Sequence, residues 1–318
     1  MLRGILLFGL GIILGLAITP LIFGGSQKVL SSHQVREGEQ SLINPLLECE
    51  VATNVNENLT PFKGVIQKTV DNLLQRKDAS HISVYFRDLN NGPWFGINEK
   101  EDFIPASLLK VPIMISFLKR AETEPTILEK KITYEAPRNP VRPHFSATKS
   151  IQIGTTYTVQ ELLEYMIVYS DNEAKDLLVL AAENGQIEKV FFDLGVELES
   201  DSLDINVKNY ASFFRILFNS SYLRRDLSQF ALKLLSHAEF SKGLRAGVPA
   251  SFPIAHKFGE KWRNPNEDKQ LHDCGIIYYP GHPYLLCLMT RGDDFDALTH
   301  VLTSISRVVF EEVTNQAN

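Results

Sequence analysis

Cysteine is scarce in this chain, with three residues, Cys49, Cys274 and Cys287, in a length of 318. So few, so far apart, supply neither a disulfide framework nor a zinc site. If Pro280-Gly281-His282-Pro283 turns a hairpin with Gly281 and His282 at its tip, Cys287 faces Ile276 and Cys274 faces Met289. The two thiols then sit on different rungs and faces, and no bridge between them is expected. Runs of one charge sign are also missing. The 38 acidic and 32 basic residues are dispersed, and a formal charge of −6 offers nucleic acid no basic patch. No internal repeat or low-complexity segment is visible, which excludes a solenoid. No residue pattern calls for a metal or a cofactor, and a monomer is expected.

Charge is absent altogether from Ile5 to Phe23. That stretch approaches the roughly 20 apolar residues that carry a helix across a bilayer. Residues 1–25 are therefore expected to be a membrane anchor or a signal peptide. Arg3 before the stretch places the rest of the chain outside the cytoplasm. Residues 26–60 are polar, poor in aromatics and without sustained periodicity, as in a linker. The folded part is expected over 61–318.

Val65, Ile66, Val70, Leu73 and Leu74 recur at helical spacing. Ile82, Val84 and Phe86 alternate with Ser83, Tyr85 and Arg87. Asn90-Asn91-Gly92 then supplies turn residues before a return strand from Trp94 to Ile97. Thr158 and Glu161 form a capping box ahead of Val159, Leu162, Leu163, Met166 and Ile167. A helix from Asn172 to Glu183 is expected to stop at Asn184-Gly185. Two more apolar periods follow, at Tyr210, Phe213, Phe214 and Leu217, and at Phe230, Leu234 and Leu235. Strands are expected at Ile254–Phe258, Gly275–Tyr279 and Tyr284–Thr290, then a last helix through Leu298, Val301, Leu302 and Ile305. This order predicts an α/β (α+β) fold of two lobes. Early and late strands share one antiparallel sheet flanked by the terminal helices, and the middle helices form a separate lobe.

Three short motifs carry chemistry. Ser107-Leu108-Leu109-Lys110 stands at the start of an apolar helical run, and the i, i+3 spacing puts hydroxyl and amine on one face. A lysine whose charge is disfavoured can act as the base that makes a serine nucleophilic. Ser170-Asp171-Asn172 joins two helices, and His256-Lys257-Phe258-Gly259 lies on a late strand. Each has a purely structural reading, as a helix cap for the two serine motifs and as a solvated edge-strand lysine for the third.

Together, in this order, they resemble the signature of the class A β-lactamases and penicillin-binding proteins. The resemblance extends to Tyr157-Thr158-Val159 and to the Gly275-to-Tyr278 strand, covering roughly residues 61–315. It implies a β-lactamase/transpeptidase-like fold and a serine hydrolase that opens β-lactam amides. The alternatives are a peptidoglycan D-alanyl-D-alanine carboxypeptidase acting on a stem peptide, or a non-catalytic wall-binding module. Ser107 is then the nucleophile, Lys110 its base and Ser170 the proton relay to the leaving nitrogen. Lys257 and Asn172 bind substrate, with Gly259 and the N–H groups of Ser107 and Glu260 completing an oxyanion hole. The chain departs from the pattern at Phe258, where the family carries a hydroxyl for the substrate carboxylate. The segment between Ser170 and Lys257 is also short, leaving Glu197 and Glu199, read as solvated, where the family keeps a deacylating glutamate.

Overall fold

In the computed structural model, described for residues 31–38, 41–52, 60–90, 92–138, 143–196, 203–262 and 268–317, secondary structure begins within the stretch expected to be a linker. Strand β1 (Ser31–Arg36) pairs antiparallel with β2 (Leu46–Ala52). Between them Ile43 is buried. The Asn44 N–H donates to the Phe218 carbonyl at 2.9 Å, and Arg36 Nη1 donates to the Asn44 carbonyl and Asn219 Oδ1. A lone apolar residue sets up no periodicity, so sequence pattern gives no sign of this attachment.

Helix α1 (Thr60–Gln75) buries Phe62, Ile66 and Val70. The expected hairpin follows as β3 (His81–Asp88) and β4 (Trp94–Ile97), then the short β5 (Asp102–Phe103). Helix α2 (Lys110–Ala121) leads into the helical lobe. There β6 (Lys131–Thr133) pairs with β7 (Thr156–Thr158), and α3 (Val159–Val168), α4 (Asn172–Ala181) and α5 (Gln186–Asp193) follow in turn. β8 (Ile205–Asn206) pairs with β5 and precedes α6 (Val207–Asn219) and α7 (Arg225–Ser236). The chain closes with β9 (Ile254–Lys261), β10 (Lys269–Ile277), β11 (Tyr284–Gly292) and α8 (Phe295–Ala317).

Five strands make one antiparallel sheet in the order β4-β3-β11-β10-β9, uniting early and late segments. Both faces are covered, which is why Ser83 and Tyr85 of β3 are buried as completely as the alternating Ile82, Val84 and Phe86. One face packs Val84, Leu271 and Leu288 against Ile66 of α1 and Leu298 and Leu302 of α8. The other presents Tyr85, Ile276, Leu285 and Met289 to the helical lobe, where Phe117, Leu163 and Phe213 are fully buried. Each such side chain contributes roughly 1.5–3 kcal/mol of transfer free energy.

Two local expectations are corrected. Cys274 stands opposite Cys287 in the β10–β11 register, and the two sulfurs are bonded. The ladder ends at Ile277 and Tyr284, because Tyr278 donates instead to the Pro253 carbonyl and Leu89 to the Pro283 carbonyl. The connection is thus wider than a two-residue turn at Gly281-His282. Every facing pair shifts by two residues, which brings the thiols onto one rung. Helix α4 likewise ends at Ala181, and Gly185, at φ +75°, sits at the N-cap of α5 instead of stopping α4. Glu197, Glu199 and the apolar stretch from Ile5 to Phe23 lie outside the described residues. Among the described residues, no helix is long and apolar enough to cross a membrane.

Candidate active site

Ser107 lies in a 3-10 turn, Ala106–Leu109, that runs directly into α2. The turn is tied down on both sides. Upstream, Gln270 and His272 of β10 take the two polar groups of one residue, Ile104. Its N–H donates to Gln270 Oε1 at 3.1 Å, and its carbonyl accepts from His272 Nε2 at 3.0 Å. The other imidazole nitrogen accepts the Thr290 N–H, which fixes the neutral tautomer. Burial lowers the His272 pKa to about 4, so it stays neutral near pH 7. Downstream, the buried Tyr210 hydroxyl donates to the Leu108 carbonyl at 2.9 Å. Between these anchors Ala106 is held at φ +51°, a left-handed conformation that residues with a Cβ rarely adopt.

Gly259 explains how strand and turn come so close. A Cβ there would stand 2.8 Å from the Pro105 carbonyl oxygen and 3.0 Å from the Leu108 nitrogen. Only glycine lets β9, the last strand of the sheet, lie against the turn that carries Ser107.

Lys110, one turn below Ser107, is 1% exposed. Its ammonium donates to the Ser170 carbonyl at 2.6 Å, to Ser170 Oγ at 3.1 Å and to Asn172 Oδ1 at 2.8 Å. Among the described residues, none of these bonds goes to Ser107. The other buried lysine, Lys257, donates to Ser170 Oγ at 2.9 Å and to the Phe258 carbonyl at 3.0 Å. The Ser170 hydroxyl therefore bridges two lysines. Burial, reinforced by the charge of Lys257, holds Lys110 well below the usual lysine range. Burial brings Lys257 down to about 7, against the opposing pull of Asp273 and Glu260. When either amine is neutral, Ser170 can donate its own proton to it while accepting from the other, an arrangement suited to moving one proton along the chain.

Local structure aims these groups. The capping box forms, with Thr158 accepting from the Glu161 N–H and its own N–H donating to Glu161. Helix α3 then ends at Val168, and Ser170 turns the chain at φ +57°. Asp171 is a structural residue. It caps α4 by accepting from Ala174 N–H at 2.8 Å, and its other oxygen accepts from Ile151 N–H at 3.1 Å. The glutamate after Gly259 turns its carboxylate to the Phe145 N–H, and burial raises its pKa.

A cleft opens above this arrangement, lined on one side by Ser107, Ser170 and Asn172 and on the other by Phe145, Phe258, Trp262 and Phe295. Of the seven residues expected from sequence, Ser107, Ser170, Asn172 and Glu260 line the cleft, while Lys110 and Lys257 reach it only through Ser170 and Gly259 lies against the turn that carries Ser107. Sequence reasoning missed Gln270, His272 and Tyr210, which carry no motif, and Phe145, which reaches the cleft from the segment after β6. Among the described residues, no cluster of histidine, cysteine or acidic side chains could hold a metal.

The model of the Beta-lactamase enzyme family matches residues 65–313. A beta-lactamase from Bacteroides uniformis is 22% identical, covering 77% of this chain and 90% of the relative. Beta-lactamase VEB-1 from Pseudomonas aeruginosa is 23% identical, over 66% and 77%. Among solved structures, a class A beta-lactamase from Mycobacterium abscessus superposes with a TM-score of 0.66 at 21% identity, covering 78% of this chain and 99% of that one. PBP-A superposes with a TM-score of 0.65 at 20% identity, over 79% and 96%. These structural likenesses establish a shared fold.

Proposed function

Because the chain belongs to the beta-lactamase enzyme family, we propose that it is a serine hydrolase that opens β-lactam amides through an ester on Ser107. The observation that carries this reading is the Ser170 hydroxyl bridging two buried lysines, 3.1 Å from Lys110 and 2.9 Å from Lys257. Neutral Lys110 takes the Ser107 proton as Oγ attacks the carbonyl carbon. The developing oxyanion is met by the N–H groups of Ser107 and Glu260, a type of interaction whose loss costs about 3 kcal/mol per donor. Collapse breaks the C–N bond. The leaving nitrogen takes a proton from Ser170, which is reprotonated through the lysine on either side of it. Water then cleaves the ester, and Ser107 recovers its proton. The segment between Ser170 and Lys257 is short for one that poises a glutamate over that water, and on this reading acylation outpaces deacylation and the ester accumulates.

Intact-mass measurement after incubation with benzylpenicillin tests this reading. Wild type gains one acyl adduct and Ser107→Ala gains none. A wild-type chain left unmodified by both benzylpenicillin and its methyl ester, or a labelled Ser107→Ala chain, overturns it. An extracytoplasmic, membrane-tethered location is part of the same proposal. It is supported by the apolar stretch from Ile5 to Phe23 and by the Cys274–Cys287 bond, since disulfides persist in oxidising compartments. Recovery of the chain in the cytosolic fraction would refute that part.

A further inference from the structure

The aromatic wall of the cleft stands where a substrate carboxylate would need a partner. Phe258 follows Lys257 on β9, and its ring is fixed from two sides. It stacks on Phe240 with centroids 4.0 Å apart and planes 15° apart, and it meets Phe145 edge to face at 6.1 Å. Only 8% of the residue is exposed. It also covers the neighbouring cation. The Lys257 ammonium lies 4.3 Å from the Phe258 ring centroid, gives two of its hydrogens to Ser170 and the Phe258 carbonyl, and is absent from the cleft lining.

Two other titratable side chains line the cleft, Glu260 and His144, and the His144 ring lies flat on Phe295 with centroids 4.6 Å apart. Glu260 lines the cleft with its carboxylate held by the Phe145 N–H. Lys242 sits over the Phe145 ring, 4.9 Å from its centroid, but does not line the cleft. A carboxylate entering against Phe258 would lose water and meet ring faces and the Glu260 carboxyl group in return, which is unfavourable. An apolar or aromatic substituent would bury against Phe258, Phe295 and the partly exposed Trp262, which is favourable.

We propose that this cleft selects acyl donors whose substituent beside the leaving nitrogen is uncharged and apolar or aromatic, with Phe258 as the residue that sets the preference. The inference rests on acylation of Ser107 and narrows its substrate class.

The test compares benzylpenicillin with its methyl ester as acylating agents of the full chain, by intact mass against time. Wild type is expected to react with the ester at least as fast as with the acid. Phe258→Thr, which restores a hydroxyl and uncovers Lys257, shifts the ratio by tenfold or more toward the acid. Phe258→Leu keeps an apolar residue without a hydroxyl, preserves the wild-type ratio, and serves if the threonine variant fails to fold. A wild type that reacts faster with the acid overturns the proposal, as does a leucine variant whose ratio moves to the acid. Absence of labelling by either compound is a different result, since it removes acylation of Ser107 itself and this inference with it.

Discussion

The two faces of the five-stranded sheet handle buried polarity in opposite ways. Against α8, a buried polar pair is closed. His256 Nδ1 meets Asp273 Oδ1 at 2.9 Å, and the other carboxylate oxygen accepts from Leu244 N–H at 2.9 Å, with both residues at most 2% exposed. Facing the helical lobe, Lys110 and Lys257 are equally buried, but their hydrogen bonds end on carbonyl, amide and hydroxyl oxygens and on no carboxylate. Two non-glycine residues there, Ala106 and Ser170, are also in left-handed conformations. Burying an amine with no carboxylate partner, charged or not, and straining the backbone both oppose folding, so the second face carries costs that the first does not. The second face is where the reactive groups converge.

The largest test of that contrast is Lys110→Met. Acylation of Ser107 should fall by about 10²–10⁴-fold, the usual worth of a positioned base, while the thermal midpoint rises because a buried amine held by no carboxylate has gone. The same logic fixes a pH dependence. Lys257 titrates near 7 in the folded chain and near 10.5 when unfolded. Between those values the unfolded chain holds the extra proton, so stability rises with pH across that window, and the full penalty applies below it. Chemical denaturation at pH 7 and 9 should show the rise in wild type and a weaker one in Lys257→Met. A lower midpoint for Lys110→Met would mean that the lysine holds the lobe together.

Next in size is a pair of glycines, one on each face. Gly259→Ala pushes a methyl group into the Pro105 carbonyl and the Leu108 backbone. Displacing the Ser107 turn by even an ångström should lower the acylation rate by about 10²-fold. Gly243→Ala, on the α8 side, sits at φ +59° with its Cβ 2.6 Å from Asp273 Oδ2. It should cost about 2 kcal/mol of stability, with the acylation rate within about twofold of wild type. Equal effects of both variants on acylation would erase the distinction between the faces.

How far the sequence foretold each part depends on the range of the interactions involved. Ser107 with Lys110 and Ser170 with Asn172 are neighbours along the chain, so motif reading could pair them, and Asp171 caps the helix that carries Asn172. The β3–β4 hairpin and α8 show their apolar periods plainly. The Cys274–Cys287 bond was hidden because its register is set by Tyr278 and Pro283 leaving the ladder to pair with Pro253 and Leu89, contacts distant in sequence. The clamp on Ile104 was hidden for the same reason, since Gln270 and His272 sit about 170 residues away on an ordinary-looking strand. Phe258 was visible as a departure from a motif. Its stacking on Phe240 and its cover over Lys257 belong to tertiary packing alone.

The smallest expected effect bears on whether strain at Ala106 does anything for Ser107. Ser220, which ends α6 at φ +48°, shares the left-handed conformation but lies away from the cleft. Its hydroxyl is buried without a partner among the described residues. Glycine at either position relieves about 1–2 kcal/mol of left-handed strain, offset by about 0.5–1 kcal/mol of backbone entropy gained by the unfolded chain. Both Ala106→Gly and Ser220→Gly should therefore stabilise by up to about 1.5 kcal/mol in urea titrations. They should part company in chemistry. Ser220→Gly should leave acylation unchanged. Ala106→Gly loosens the backbone between the Ile104 clamp and the Leu108 anchor, so Ser107 samples more orientations and acylates about three- to tenfold more slowly. If Ala106→Gly instead gains stability with no loss of rate, the strain is incidental to the placement of Ser107. The contrast between the faces then reduces to the two lysines.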